Sequence, residues 1–561
     1  MKQSEIDDPT TDGWDTEVWN KRLGRHLKKL IHLLESPREI DAAHVSPLVT
    51  SNFRCASLRP EARVKVFEDE GLTVHRAAER QLAASSADAH RGASGLVQAM
   101  RSLAQGFEDA SDVHTKTKVV RIETSETTTA ATVYFSASGH VPGGSIERNA
   151  TWRCTWTADA ASPRLRSIDV LDYEEVSARS ASGTLFSDCT NSVLSRVPIY
   201  EEQLLPSIHH WLKRVDISVA LDFEGMQGLA VGDVNGDGLD DLYVCQGGGL
   251  PNRLLVHEPD GTVTEMSAEA GVDWIETTRS ALLVDLDNDG DQDLAVTTDD
   301  QVILLANDGA GHFSERSRWP DLPIGFSIAA ADYDEDADLD LYVCRYFADT
   351  NKNMGQLPHP VPYHDANNGG ANALLRNDGD WRFVDATRET GLDANNGRWS
   401  YAAAWEDYDN DGDVDLYVAN DFGRNNLYRN DGGRFVDVAA AAGVEDIASG
   451  MSVSWADYNH DGWMDLYVSN MFSSAGGRIT YQRQFQETAS PQTKSHYQRL
   501  ARGNSLFRNL GDGTFDDVSD EAAVTMGRWA WSSNFVDINN DGWDDLVVAN
   551  GYVTGEDTGD L

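Results

Sequence analysis

From residue 223 to residue 551 the chain repeats one arrangement of apolar and polar positions: an apolar strand, a short acidic interruption, then a second strand of the Asp-Leu-Tyr-Val type. Apolar runs this short, rich in Val and Tyr and bounded by turn residues, predict β-strands. A second phrase follows most copies, at 372–379 (NALLRNDG), 426–432 (NLYRNDG) and 504–513 (NSLFRNLGDG), and Phe383, Phe435 or Phe515 then opens another strand. Four strands in a unit of about fifty residues is the period of a propeller blade.

The first part of the chain has a different texture. Leu23, Leu27, Leu30, Ile31 and Leu34 share one helical face, as do Leu96, Met100, Leu103 and Phe107. Four strands are predicted over 113–123, 128–139, 146–157 and 165–173, with Val133, Phe135 and Ala137 alternating, and likewise Trp152, Cys154 and Trp156. Trp152 and Trp156 read as core or as the lining of a pocket. The predicted fold class is therefore mainly β: a propeller of six to seven blades, seven being the preferred count, behind an N-terminal α+β domain. The predicted domains are 1–180, a connector at 181–220 with Leu204, Leu205, Ile208 and Leu212 on one apolar face, and the propeller at 221–561.

Charge sharpens this picture. The chain carries 46 Lys and Arg against 92 Asp and Glu, a formal net charge of -46. Phosphate backbones would be repelled from such a surface, which excludes nucleic acid as a partner. No run of about twenty apolar residues predicts a membrane span. The first 34 residues lack a signal-peptide core, so a targeting segment is either absent or removed. Five cysteines without a CxxC pair exclude a dense disulfide framework and leave room for one or two bridges.

The acidic residues are clustered at fixed offsets. Six copies of Asp-x-Asp/Asn-x-Asp-Gly-x-x-Asp occur: Asp233, Asn235, Asp237 and Asp241; Asp285, Asp287, Asp289 and Asp293; Asp332, Asp334, Asp336 and Asp340; Asp407, Asp409, Asp411 and Asp415; Asp457, Asn459, Asp461 and Asp465; Asp537, Asn539, Asp541 and Asp545. Calcium takes six to eight oxygen ligands, and alternating Asp or Asn side chains aim several oxygens at one point. About six calcium sites are expected. Position six is glycine except in the third copy, where Ala337 stands, so occupancy is least secure there. Without a Glu at position twelve or a helix on either side, the loop is not an EF-hand.

These phrases resemble the FG-GAP or VCBS repeats of integrin-α-type propellers, and DYDNDGDVDLYVAN followed by NNLYRNDGGRFVDVAAAAGV is similar to bacterial relatives of cartilage acidic protein, which are associated with ASPIC/UnbV segments. The resemblance covers about 223–551 and implies calcium in the hairpin between the first and second strands of each blade. The N-terminal order of helices before a curved sheet is similar to the SnoaL-like cone.

Successive loops start 52, 47, 75, 50 and 80 residues apart, and the two long spacings predict loop insertions at 345–370 and 471–503. Both follow the second strand of a blade, whereas the acidic loops precede it, which sends them to opposite faces. The first insertion offers Arg345, Tyr346, His359, Tyr363, His364 and Asp365, a solvated loop or a site for an anionic ligand or for a transition metal such as zinc or copper. The second offers Arg478, Arg483, Lys494, His496, Tyr497, Arg499 and Arg502, either packed on the acidic body of the propeller or turned to an acidic ligand. Neither HExxH, GxSxG nor a P-loop appears. The leading functional expectation is a noncatalytic binding or adhesion module, exported or at the cell surface, with a protein or glycan ligand on the insertion face. The alternative is a metal-dependent enzyme using His359, Tyr363, His364, Asp365 and His496. Arg345, Arg478, Arg483 and Arg499 are the candidate ligand-binding cations.

Overall fold

A computed structural model describes residues 14–69, 71–78, 90–159, 161–179, 186–206, 210–211, 213–214, 227–320, 322–323, 325–348 and 359–551. The chain divides into two units, one of Met1–Ser187 with Ser474–Thr488 and one of Asp188–Ser473 with Ala489–Leu561. Ile208 and Leu212 of the expected connector face lie outside the described residues.

The first unit is α+β. Its longest helix, Asp15–Ile31, buries Leu23, Leu27 and Leu30, and a second, Gly92–Ala104, buries Leu96, Met100 and Leu103. The four expected strands are Ser111–Thr124, Thr128–Val141, Gly144–Thr157 and Leu165–Arg179, antiparallel neighbours in an eight-stranded sheet. Strict alternation along Thr128–Val141 gives it one packed face. Trp152 and Trp156 are fully buried core residues. Four strands went unpredicted, Val49–Cys55, Arg63–Glu68, Leu72–Ala77 and the two-residue His90–Arg91. Their cause is local: along Arg63–Glu68 both faces are largely solvated, so no alternation marks it. A buried ion cluster ties the helix end to the sheet, with Arg148 donating to Glu175 and to the carbonyls of Leu103 and Gln105, and Arg59 donating to the same carboxylate. Burial pushes the Glu175 carboxyl up, but the Arg59 and Arg148 guanidiniums outweigh it and hold the group at about 2.

The second unit is propeller-like. Five four-stranded antiparallel sheets follow one another in chain order: Leu229–Gly232 to Val263–Glu265, Thr278–Val284 to Phe313–Trp319, Gly325–Ala331 to Phe383–Asp385, Trp399–Glu406 to Phe435–Asp437, and Gly450–Ala456 to Phe515–Asp517. A two-stranded sheet, Ala530–Val536 with Asp545–Asn550, comes sixth. Six sheets lie among the described residues, within the expected range of six to seven blades. The first strands of successive sheets pack side by side. The long spacings hold helices as well as loop, Ser474–Ile479 and Pro491–Leu500 in the second insertion. All five cysteines are free, so the allowance for one or two disulfides falls.

Each acidic loop is the turn between the first and second strands of its sheet. Position six has φ between +74° and +100° in the first four loops, at Gly238, Gly290, Ala337 and Gly412. A Cβ at Gly238, Gly290 or Gly412 would meet nothing within 4 Å, so the requirement is on φ and not on space. Ala337 carries that strain at φ +74°. Left-handed backbone costs an L-residue roughly 1–2 kcal/mol, against which glycine loses about 0.4–1 kcal/mol through its freer unfolded chain. Ala337→Gly is expected to stabilise the second unit by about 0.5–1 kcal/mol in urea unfolding, and an unchanged or lower midpoint would contradict this account.

Candidate metal centres and insertion face

The loop geometry follows from short acidic side chains capping their own backbone. In the first loop Asp233 accepts the amides of Asp237 at 3.1 Å and Gly238 at 2.8 Å, and Asp237 accepts that of Leu239 at 2.9 Å. The same pattern recurs at Asp332, Asp407, Asp457 and Asp537. The position-nine carboxylate is buried and does a second task. Asp415 accepts the Tyr408 amide at 3.2 Å and the Asn430 amide, at the end of the third strand, at 2.7 Å. Equivalent pairs of bonds are made by Asp241, Asp293 and Asp340.

Carboxyl oxygens remain that these bonds do not use. Oδ1 of Asp285, Asp287, Asp334 and Asp409 and Oδ2 of Asp465 are buried without a hydrogen-bond partner, a costly state for a carboxylate unless a cation takes it up. Three sets bring carboxyl oxygens within 4.8 Å of one another: Asp285, Asp287 and Asp289; Asp332, Asp334 and Asp336; Asp407, Asp409 and Asp415. These Asp triplets can hold metal ions, and their all-oxygen donors suit a hard cation. The loop with Ala337 is among them, so the missing glycine does not spoil the convergence. Loops one, five and six carry Asn at position three, one carboxylate fewer. Burial, reinforced by neighbouring loop carboxylates, pushes Asp293 up to about 6, Asp340 and Asp465 to about 7 and Asp415 to about 8. A bound cation removes that penalty.

The third strands add a residue role that periodicity did not show. Asn307, Asn377, Asn430 and Asn509 donate their side-chain amides to the carbonyls of Val234, Leu286, Tyr333 and Tyr408, at position two of the preceding loop, over 2.8–2.9 Å. The recurring Asn in NALLRNDG, NLYRNDG and NSLFRNLGDG was its only trace.

Within the second unit the two insertions meet. Tyr363 and Tyr497 lie parallel at 6.1 Å between ring centroids, His364 and His496 approach to 5.7 Å, and Tyr363 packs on Phe422. Tyr363 is 52% exposed, which leaves an aromatic patch open. Nδ1 of His496 is buried without a partner, and burial lowers the pKa of its ring. His359 is exposed, its carbonyl accepting Asn368 Nδ2 at 2.9 Å. Asp365 is committed elsewhere: it accepts Arg398 at 2.8 Å and Arg424 at 3.0 Å, and despite its burial these guanidiniums hold its carboxyl below the usual range. Among the described residues the two imidazoles join no cluster of three potential metal donors.

The candidate cations are mostly spent internally. Arg478, expected on the ligand face, is corrected: it belongs to the first unit, is 6% exposed, and donates to Glu17 at 2.7 Å and to the Val119 carbonyl at 2.6 Å. Arg499 donates to Asp446 at 2.7 Å and pairs with Asp517, and Arg502 donates to Asp517 at 3.0 Å. Arg345 is buried and donates to the Pro323 carbonyl at 2.9 Å. Arg483 stays exposed.

The FG-GAP-like repeat family model matches residues 233–296, 285–343, 407–468 and 497–548, so the second unit is a propeller of FG-GAP-like repeats. No curated protein matches the chain. Among solved structures, an Agrocybe aegerita lectin described as recognising non-reducing terminal N-acetylglucosamine is 17% identical over 57% of this chain and 73% of its own, with a TM-score of 0.33. A nuclear transport factor 2-like protein from Salmonella enterica is 9% identical over 30% of this chain and 96% of its own, at 0.18. The NanB sialidase of Streptococcus pneumoniae is 9% identical over 90% of this chain and 98% of its own, at 0.28.

Proposed function

We propose that this propeller of FG-GAP-like repeats is a calcium-stabilised, noncatalytic interaction module whose protein or glycan ligand rests on the patch of Tyr363, His364, His496 and Tyr497. The observation that carries the reading is the meeting of the two insertions: aromatic and imidazole rings gather there, Tyr363 half-open to solvent, while the nearby charges are neutralised among themselves. Amphipathic rings with few rotatable bonds serve recognition of sugars and of protein surfaces alike. Calcium belongs to the opposite end of each second strand, where it supplies the charge that lets the acidic turns close. All six loops are included, with ligands at positions one, three, five and nine. Among the described residues no helix is long and apolar enough to cross a membrane, and the need for millimolar calcium supports an exported or cell-surface location for an FG-GAP-type protein. The narrower kinship with bacterial relatives of cartilage acidic protein is part of this proposal.

The test is binding of the purified protein, in millimolar calcium, to arrays of glycans and of immobilised extracellular proteins. Tyr363→Ala with Tyr497→Ala is expected to weaken any captured ligand at least about tenfold, roughly 1.4 kcal/mol, with unchanged melting. Binding indifferent to the double substitution would sink the assignment of the face. The partnerless Nδ1 of His496 beside His364 favours one second reading, a transition-metal site serving an enzyme. Calorimetric titration of calcium-saturated protein with zinc or copper separates the two: tight uptake lost in His364→Ala supports the enzyme, and its absence supports the binding module.

A further inference from the structure

Position four of the acidic loops is none of the expected ligands, yet it adopts one uncommon conformation throughout. Asn288, Glu335, Asn410, His460 and Asn540 stand there with φ between +57° and +61°, and Gly236 takes the same left-handed region at +72°. In the second and third loops the carboxylates on either side of it, at positions three and five, converge on one point. The side chain between them leaves for the next loop. Nδ2 of Asn288 donates to the Ala337 carbonyl at 3.1 Å and to Asp338 Oδ1 at 2.7 Å, both in the third loop. Nδ2 of Asn410, in the fourth, donates to the Gly462 carbonyl of the fifth at 3.2 Å. The ring of His460 lies on that of Trp543 in the sixth loop, with centroids 3.9 Å apart and planes within 1°. Gly236 has no side chain to send, and among the described residues Glu335 makes no hydrogen bond to the fourth loop.

Both asparagines reach position six, the residue whose own amide closes its loop: Ala337 donates to Asp332 at 2.9 Å and Gly462 to Asp457 at 2.8 Å. A third loop closed on an ion therefore fixes the carbonyl that holds Asn288, and with it the turn between Asp287 and Asp289. Order imposed on one loop is then not imposed again on its neighbour, so filling one site favours filling the other. We propose that the metal sites of the second and third loops fill cooperatively through Asn288, and those of the fourth and fifth through Asn410, while the first loop fills independently. The coupling rests on calcium occupying the acidic loops. Both pairs have oxygens to offer it, since Oδ1 of Asp287, Asp334 and Asp409, and Oδ2 of the fully buried Asp465, lack a donor. The worth of one or two hydrogen bonds sets the size, roughly two- to tenfold in affinity.

The experiment reads stepwise calcium constants of the intact protein by competition with a chromophoric chelator, in about 0.15 M salt to damp direct repulsion between neighbouring ions. Asp336→Asn keeps an acceptor for the Asp338 amide but removes one charge from the third loop. It is expected to weaken its own site and, roughly two- to tenfold, one more. Asn288→Gly deletes the bridging amide and still permits the left-handed turn, as Gly236 does in the first loop. With Asn288→Gly present, Asp336→Asn should weaken its own site alone. Asp237→Asn, in the first loop, should do so in either background. The cycle of Asn410→Gly with Asp461→Asn repeats the measurement in the fourth and fifth loops, and decides the matter should Asn288→Gly fold poorly. Asn410→Gly should likewise reduce by one the number of sites that Asp461→Asn weakens. Absence of calcium uptake would overturn the calcium reading and the coupling together. Uptake in which Asp336→Asn and Asp461→Asn each weaken a single site, or in which the second site still weakens without the asparagine, would overturn the coupling alone.

Discussion

On the proposed calcium reading, removing divalent cations with a chelator is expected to lower the melting temperature of the FG-GAP-like unit by more than about 10 °C, with the first unit melting where it did before. The magnitude follows from linkage. A ligand that binds the native state alone adds RT ln(1 + [L]/Kd), about 2.7 kcal/mol per site at a hundredfold excess. Filled at that excess, the three Asp triplets alone would contribute about 8 kcal/mol, comparable with the whole stability of an ordinary domain. At roughly 2–4 °C per kcal/mol for units of a few hundred residues, a double-digit shift results. The physical reason is visible in the loops, where carboxyl oxygens of Asp285, Asp287, Asp334 and Asp409 are buried without donors. Differential scanning calorimetry with and without chelator measures it, the α+β unit serving as internal reference. Superimposable traces would mean that the acidic turns close on their own hydrogen bonds.

The second large effect is at position nine. Asp415→Ala is expected to destabilise the same unit by roughly 2–5 kcal/mol, because two buried amides, those of Tyr408 and Asn430, lose their acceptor and no water replaces it. Asp415→Asn keeps one acceptor oxygen and should cost less. Chelator distinguishes this from loss of metal: the deficit of the alanine variant persists when cations are absent, since it arises from the backbone bonds. Urea denaturation under both conditions gives the comparison, and a deficit that vanishes in chelator would assign Asp415 wholly to the ion.

How far such features can be read from sequence depends on whether their cause is local. Thr128–Val141 alternates without interruption because one face of the sheet is packed, so its position was legible to within two residues. The six acidic turns were legible for the same reason, since each is held by side chains two to five residues from the amides they accept. Arg63–Glu68 was not, because a strand solvated on both faces carries no period. Arg478 was misread because its partner, Glu17, is 461 residues away, and nothing near either residue signals a buried pair. The meeting of His364 with His496 was only conjecture from sequence, since two unrelated insertions must be brought together by the sheets between them. Asp365 illustrates the converse. Its place beside a histidine suggested a ligand, and Arg398 and Arg424, remote in sequence, claim it.

The asparagine that ends the third strand of the second to fifth sheets has a consequence for how such a protein can evolve. Asn307, Asn377, Asn430 and Asn509 all reach backward to the same backbone atom of the sheet before. The four junctions among the first five sheets are thus chemically alike, and a gene segment encoding one such sheet carries both halves of the joint, the hook and the eye. Copying that segment inserts a new member without redesigning its neighbours, so lineages can lengthen or shorten the array by unequal crossing-over, and the loops are left free to diverge.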